Sequence, residues 1–481
     1  MSRLENLEPK EVFHYFEEIS QIPRPSYKEG KISDYLVKFA QDRNLTVYQD
    51  EIKNVVIIKE ATKGYENVEP IIIQGHMDMV CEKEPGYDID MEKEGLTLQV
   101  EGDYLSAKGT TLGGDDGIAV AYALAILDSD KIEHPRLEVI ITVCEEVGMD
   151  GATALDTSMI TGKRVLNLDS EEEGKMLVSC AGGCTTICTL PVSFVQANGQ
   201  MVSVKISGLL GGHSGNEIDK QRGNSNQLMG RFLCNLQNRM DIQIVKVNGG
   251  AKDNAIPRET NAELMIAKEN AKAFLEEIEK FQEIVKKEYQ VSDPEIRIEG
   301  ELLKDTNAEA MSLEDSRKVV FLLVHLPGGI QRMSMDIKGL VETSLNMGIL
   351  STKEKEVSMT FSVRSSLKSQ KEFLVAKLKS MLEFVGGSIS IRGDYPAWEY
   401  KQDSAFRNQA IAVYKRMYGE EPVIEAIHAG LECGILASKI EDFDCVSTGP
   451  DMFDIHTTEE RLSISSAKRV WEYVLEILKC K

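Results

Sequence analysis

The sequence predicts an α/β protein: a mostly parallel sheet covered by helices, interrupted by an inserted α+β domain. Three observations predict it. Apolar runs suited to buried strands alternate with helical patterns up to Asp169, the texture changes after Ala181-Gly182-Gly183 to alternating strands and long amphipathic helices, and the earlier motif style returns after Tyr395-Pro396-Ala397-Trp398. Strand and helix in alternation build a parallel sheet with both faces covered. The implied boundaries are 1–184 with 396–481 for the first domain and 185–395 for the insertion. A chain of 481 residues also exceeds what one hydrophobic core usually supports.

The elements follow in order. Residues 8–21 carry Val12, Phe13, Phe16 and Ile19 at helical spacing between Pro9 and Pro23-Arg24-Pro25, and a second helix over 28–42 presents Ile32, Tyr35, Leu36 and Phe39. Val55 to Ile58 and Ile71 to Ile73 read as strands parted by a Lys63-Gly64 turn. Residues 118–128 are almost wholly apolar, so this helix is buried on most of its surface. Strands ending at Val143 and Asp169 complete the first half. In the insertion, strands are expected at 202–206, 263–266, 295–299 and 357–363, and a helix over 269–289 with Phe274, Ile278, Phe281 and Ile284/Val285 on one stripe. The strand and helix order of an α+β unit occurs twice there.

Composition excludes several function classes. A net charge of −23 and a pI near 4.9 repel phosphate backbones and anionic lipid, so neither nucleic acid nor membrane is an expected partner. The polar, acidic N-terminus lacks a secretory apolar stretch, and no run approaches a membrane span. Nine cysteines, an odd number, point to free thiols in a reducing compartment, with the cytoplasm as the default. Cys180-Ala-Gly-Gly-Cys184-Thr-Thr-Ile-Cys188 has the β-branched character of a strand rather than the paired knuckles of a thiolate metal site.

The chemistry lies at the strand ends. Ile71-Ile72-Ile73 leads into Gln74-Gly75-His76-Met77-Asp78, Leu137 to Val143 leads through Cys144 into Glu145-Glu146, and Val165 to Leu168 leads into Asp169. Ligand sites of open α/β sheets lie outside the carboxyl ends of the strands, so these residues should converge. Asp115 at a helix start and Asp454-Ile455-His456 join the set. Each acid alone would read as a solvated charge or a helix cap. Together, after buried strands, they would repel one another unless a cation sat among them. Imidazole and carboxylate in similar measure suit Zn²⁺, with Mn²⁺ or Co²⁺ as substitutes. Of the seven histidines, His14 and His134 are expected at the surface and His325 as structural, whereas His76, His213, His428 and His456 lie in Gly-rich or acid-rich motifs.

These motifs carry a resemblance. Gly75-His-Met-Asp-Met-Val80, Leu112-Gly-Gly-Asp-Asp-Gly-Ile118, Cys144-Glu-Glu-Val-Gly148, Leu166-Asn-Leu-Asp-Ser-Glu171, Gly211-Gly-His-Ser-Gly215 and Asp454-Ile-His456 are similar to those of the co-catalytic zinc metallopeptidases, the group with carnosinase, bacterial tripeptidase and aminoacylase. Asp253-Asn-Ala-Ile-Pro-Arg-Glu259, Val341-Glu-Thr-Ser-Leu-Asn346, Val363-Arg-Ser-Ser366 and His428-Ala-Gly-Leu-Glu-Cys-Gly434 resemble its aminoacyl-histidine dipeptidase branch, the Xaa-His or cytosol non-specific dipeptidases. The resemblance spans nearly the whole chain in order.

The resemblance implies two zinc ions per subunit, one held by His76, Asp115 and Asp169 and the other by Asp115, Glu146 and His456, with Asp115 as bridge. It makes Asp78 the orienting carboxylate, Glu145 the general base and His213 a donor to the oxyanion. Asn254 and Arg364 become substrate-binding residues, the insertion a lid or dimerisation domain, and the Asp115–Asp116 peptide cis. Asp116, where that branch often carries Asn, is not an implied ligand. The implied reaction is hydrolysis of dipeptides, with broad or Xaa-His preference, by a zinc-bridged hydroxide. The alternatives are an N-acyl amino acid deacylase on the same scaffold and a catalytically silent metal-binding relative.

Overall fold

A computed structural model describes residues 4–481, which divide into two compact units. The first comprises residues up to Cys180, Tyr400–Ala426 and Leu431–Lys481, and the second Ala181–Glu399 with Ile427–Gly430. The return of 427–430 to the second unit has no signal in the local sequence pattern.

The first unit is built on an eight-stranded sheet. Its centre is parallel: Leu137–Thr142 pairs with Ile71–His76, which pairs with Arg164–Asn167, which pairs with Asp444–Ser447. Antiparallel strands flank this centre, with Val55–Lys59 beside Leu137–Thr142 and Thr46–Gln49 outside it. Every residue of Ile71–His76 and Leu137–Thr142 is buried, as continuous apolar runs require in a sheet covered on both faces. The helix Gly114–Asp128 is buried from Gly114 to Leu127 and packs on Ile71–His76, with the helix Lys10–Ser20 laid against it. The parallel strands therefore end together, bringing His76, the Glu145–Glu146 turn and Asp169 to one rim.

A small sheet supplies the remaining site loop. Met452–Phe453 and Arg461–Ser463 form a hairpin whose second strand pairs with Tyr104–Ala107, and His456 lies in the connecting loop.

His134 is not at the surface. It is fully buried, its Nδ1 lies 2.8 Å from the Pro135 carbonyl, and burial lowers its pKa. The charged residues around it in sequence point elsewhere, because the loop before Leu137 folds back on Thr62, which accepts the His134 amide through its hydroxyl at 2.9 Å. His14 is exposed and faces Glu18. His325 ends the helix Leu313–His325, stacked on Phe321.

The second unit is a nine-stranded antiparallel sheet. The α+β pattern that occurs twice in sequence does not make two sheets. Ile242–Gly249 meets Val341–Thr352 at Gly249 and Leu350, joining both halves into one surface. The helix Ala271–Glu288 buries Phe274, Ile278, Phe281 and Val285, spaced as one helical face, and Asn224 caps the helix Ser225–Gln237 by accepting from the amides of Asn226 and Gln227. Gly182–Pro191 is a strand with Cys184 and Cys188 in the core, and all nine cysteines are free thiols.

Candidate metal centre and substrate cluster

Asp115 organises the rim of the first unit. Its Oδ1 lies 3.1 Å from His76 Nε2, and its Oδ2 lies 3.2 Å from His456 Nε2. Asp169 Oδ1 is 3.6 Å from His76 Nε2, and Glu146 Oε2 is 3.0 Å from His456 Nε2. Two overlapping groups have ligand atoms close enough to hold a cation: His76 with Asp115 and Glu146, and His76 with Asp116 and Asp169. Asp116 is thus brought into the cluster, although the motif reading leaves it out. Its Oδ2 accepts the His76 amide at 3.2 Å, while its Oδ1 has no hydrogen-bond partner. The Asp115–Asp116 peptide is cis.

Local conformation places these groups. Cys144 adopts φ 54°, a left-handed conformation that turns the chain at the end of Leu137–Thr142. The amides of Glu145 and Glu146 then reach Asp78 Oδ1 and Oδ2 at 3.1 and 3.3 Å. Asp78 also accepts from Ser26 Oγ at 2.8 Å, and its Oδ1 lies 3.4 Å from His76 Nδ1. Asp78 therefore orients both an imidazole, with its backbone carbonyl 3.1 Å from His76 Nδ1 beside the carboxylate, and the paired glutamates; a group behind the second nitrogen is common for metal-binding histidines. Asp454 and His456 are likewise left-handed, at φ 53° and 62°.

The electrostatics are those of crowded acids. Burial raises Asp116 and Glu145 well above the carboxylate range and pushes Asp169 up to about 6, with neighbouring carboxylates adding to the effect. Burial opposes it, yet hydrogen bonds from His456 and His76 hold Asp115 below its ordinary value. The carboxylates of Asp115 and Glu146 lift His456 to about 10. Glu146 Oε1 is buried without a hydrogen-bond partner. Two imidazoles, several carboxylates and an orphaned carboxylate oxygen fit a divalent metal ion.

Sequence reasoning missed the supports of this rim. Glu29 accepts the Cys144 amide at 3.0 Å, and Glu432, pushed up to about 8 by burial, accepts from Gln74 Nε2 and Thr142 Oγ1 at 2.6 Å each. Arg24 and Glu460 hold backbone groups of the site turns. Glu432 lies in the His428–Gly434 motif, but none of the four lies in a motif with its partner, so the sequence does not show what each one holds.

In the second unit, His213 sits on the short strand Gly212–His213, paired with Ala255–Ile256. Its Nδ1 accepts from the amides of Gly215 at 3.3 Å and Asn216 at 3.1 Å, which leaves the ring proton on Nε2. Burial, with Arg364 nearby, lowers its pKa, so the ring is a neutral donor. A side chain at Gly215 would meet the His428 carbonyl at 2.6 Å, the His213 ring at 3.0 Å and Arg364 Nε at 3.2 Å, so these groups surround one point. Arg364 Nη1 donates to Tyr395 Oη at 3.0 Å, and His428 Nε2 lies 2.7 Å from Ser344 Oγ. Ser214 Oγ, Arg364 Nε and His428 Nδ1 are buried without hydrogen-bond partners, as polar atoms awaiting a ligand would be. Asn254 is exposed, and its carbonyl accepts the Ser214 amide at 2.9 Å.

Imidazole and carboxylate donors gathered at the strand ends of an α/β sheet make a candidate metal centre, and the family match gives the class, a peptidase. The chain belongs to Peptidase family M20/M25/M40, whose model matches residues 72–479. It is 35% identical over 484 residues to the cytosol non-specific dipeptidase of Escherichia coli (strain K12), covering 100% of this chain and 99% of that protein. The aminoacylhistidine dipeptidase structure from Vibrio alginolyticus matches with a TM-score of 0.94 at 34% identity, covering 99% of this chain and 98% of that one. The aminopeptidase PepT structure from Bacillus cereus shares the fold, with a TM-score of 0.57 at 17% identity over 98% of each chain. Among the described residues no helix is long and apolar enough to cross a membrane.

Proposed function

We propose that the chain is a metal-dependent dipeptidase of broad or Xaa-His preference, with two zinc ions per subunit, for which manganese or cobalt can substitute. The observation that carries the reading is Asp115, whose two oxygens each face a different imidazole, His76 and His456. That is the disposition of a bridging carboxylate. His76, Asp115 and Asp169 would hold one ion, and Asp115, Glu146 and His456 the other. Asp116, whose Oδ2 accepts the His76 amide, lies outside the ligand set that the resemblance implies. The Escherichia coli and Vibrio relatives, both dipeptidases, support this reading.

Bound cations would polarise the scissile carbonyl and acidify a water. Glu145 then acts as general base and returns the proton to the leaving amine. Burial raises the proton affinity of its carboxyl. Asp78 holds the Glu145 backbone in place, and His213 Nε2–H donates to the oxyanion of the tetrahedral intermediate. Arg364 and Asn254 bind the remainder of the peptide, and the 185–395 insertion serves as a lid or a dimerisation domain.

The test is hydrolysis of a panel of dipeptides, tripeptides and N-acetyl amino acids after chelation and zinc restoration. Cleavage of dipeptides restored by zinc is expected. Exclusive cleavage of acetyl substrates would establish a deacylase instead, and no turnover with metal bound would establish a silent relative.

A further inference from the structure

Two buried charges outside the ligand set grip the turn that presents Asp115. Glu460 is 3% exposed, and its carboxylate accepts four successive backbone amides: Leu112 and Gly113 on Oε2 at 2.8 and 3.0 Å, and Gly114 and Asp115 on Oε1 at 2.8 and 3.4 Å. Arg24 is 2% exposed and approaches through carbonyls. Its Nη2 donates to Gly113 at 2.5 Å, and its Nη1 donates to Met77 and Asp78 at 3.1 and 3.2 Å. The Arg24 carbonyl in turn accepts the Met79 amide at 3.2 Å.

The geometry has two consequences. First, the amides at the start of the helix Gly114–Asp128 are satisfied by Glu460. They therefore do not compete for the Asp115 carboxylate, and both its oxygens face imidazoles. Second, Glu460 lies in the same hairpin loop as His456. One loop thus docks twice: His456 meets the Asp115 side chain, and Glu460 the backbone beneath it. Arg24 joins that turn to the turn bearing His76 and Asp78. The fit is tight, because a side chain at Gly113, itself left-handed at φ 66°, would meet Arg24 Nη2 at 2.5 Å. Apolar residues could fill the same volume but would leave four amides and three carbonyls without these partners.

We propose that Arg24 and Glu460 are positioning residues that set the metal affinity of the site by fixing the Leu112–Asp115 turn against His76 and His456. The inference rests on the ligand assignment proposed above. Groups that orient ligands typically govern about 10- to 100-fold in metal affinity.

The test is competition between the full-length protein and a chromophoric chelator for Zn²⁺, with metal content and the melting temperature of the metal-free protein measured in parallel. Glu460→Gln keeps the shape but offers one acceptor and an N–H₂ group to the four amides, and Arg24→Lys keeps the charge but not the fork that spans three carbonyls. Both variants are expected to bind zinc about tenfold or more weakly. Glu138→Gln is the control. This carboxylate is equally buried at the opposite end of the sheet and accepts the amides of Thr161 and Gly162. It should lower the melting temperature and leave the zinc constant unchanged. Zinc constants within about twofold of wild type in both variants, or an equal loss in Glu138→Gln, would overturn the proposal. If Glu460→Gln does not fold, Arg24→Lys decides by the same criterion. A wild-type protein that binds no zinc would instead remove the ligand assignment, and this inference with it.

Discussion

Asp78 accepts the backbone amide of Glu145 at 3.1 Å while lying 3.4 Å from His76 Nδ1. The same carboxyl group thereby relates the proposed base to a proposed ligand. Asp78→Asn would preserve volume but weaken the orientation of both. Activity or zinc affinity is expected to fall about 10- to 100-fold, the usual range for such groups. Steady-state kinetics with a zinc titration would measure it, and wild-type values in both would remove Asp78 from the site.

The paired glutamates should separate cleanly. Glu145→Gln is expected to retain two metals yet lose about 10²-fold or more in turnover, because a proton acceptor is removed while ligands remain. Glu146→Gln should lose metal. Metal analysis of the two variants decides, and the opposite pattern would reverse their roles.

His213→Ala should lower kcat by about a hundredfold or more with metal content unchanged, since one oxyanion donor typically contributes ~3 kcal/mol in the transition state. Near-normal kcat would sink that role. Recovery of activity on mixing with Glu145→Gln would show that the histidine acts across two subunits.

Metal binding should release protons. His456, lifted to about 10 by Asp115 and Glu146, stays protonated at neutral pH in the metal-free chain and must lose its proton to ligate. A raised pKa favours the protonated, metal-free form below it, so zinc affinity should increase from about pH 6 to about pH 8. Calorimetry in buffers of different ionisation enthalpy would count the protons. A release near zero would contradict the assignment of His456 as a ligand.

Sequence alone determined the parts of this protein that are local. Apolar runs ending in His76, Glu145-Glu146 and Asp169 mark buried strands and polar ends within a few residues, and a parallel sheet aligns those ends. The stripe Phe274, Ile278, Phe281 and Val285 likewise reveals a helix from its own spacing. Tertiary structure decided what depends on partners distant in the chain. Glu460 reaches the Asp115 amide across 345 residues, and Arg24 reaches the Gly113 carbonyl across 89, separations that local patterning does not bridge. His134 is buried because a loop folds over it, and the insertion forms one sheet because Gly249 meets Leu350. Periodicity records which face of an element is apolar. Which charged side chain satisfies a buried backbone group depends on packing that brings separate segments together.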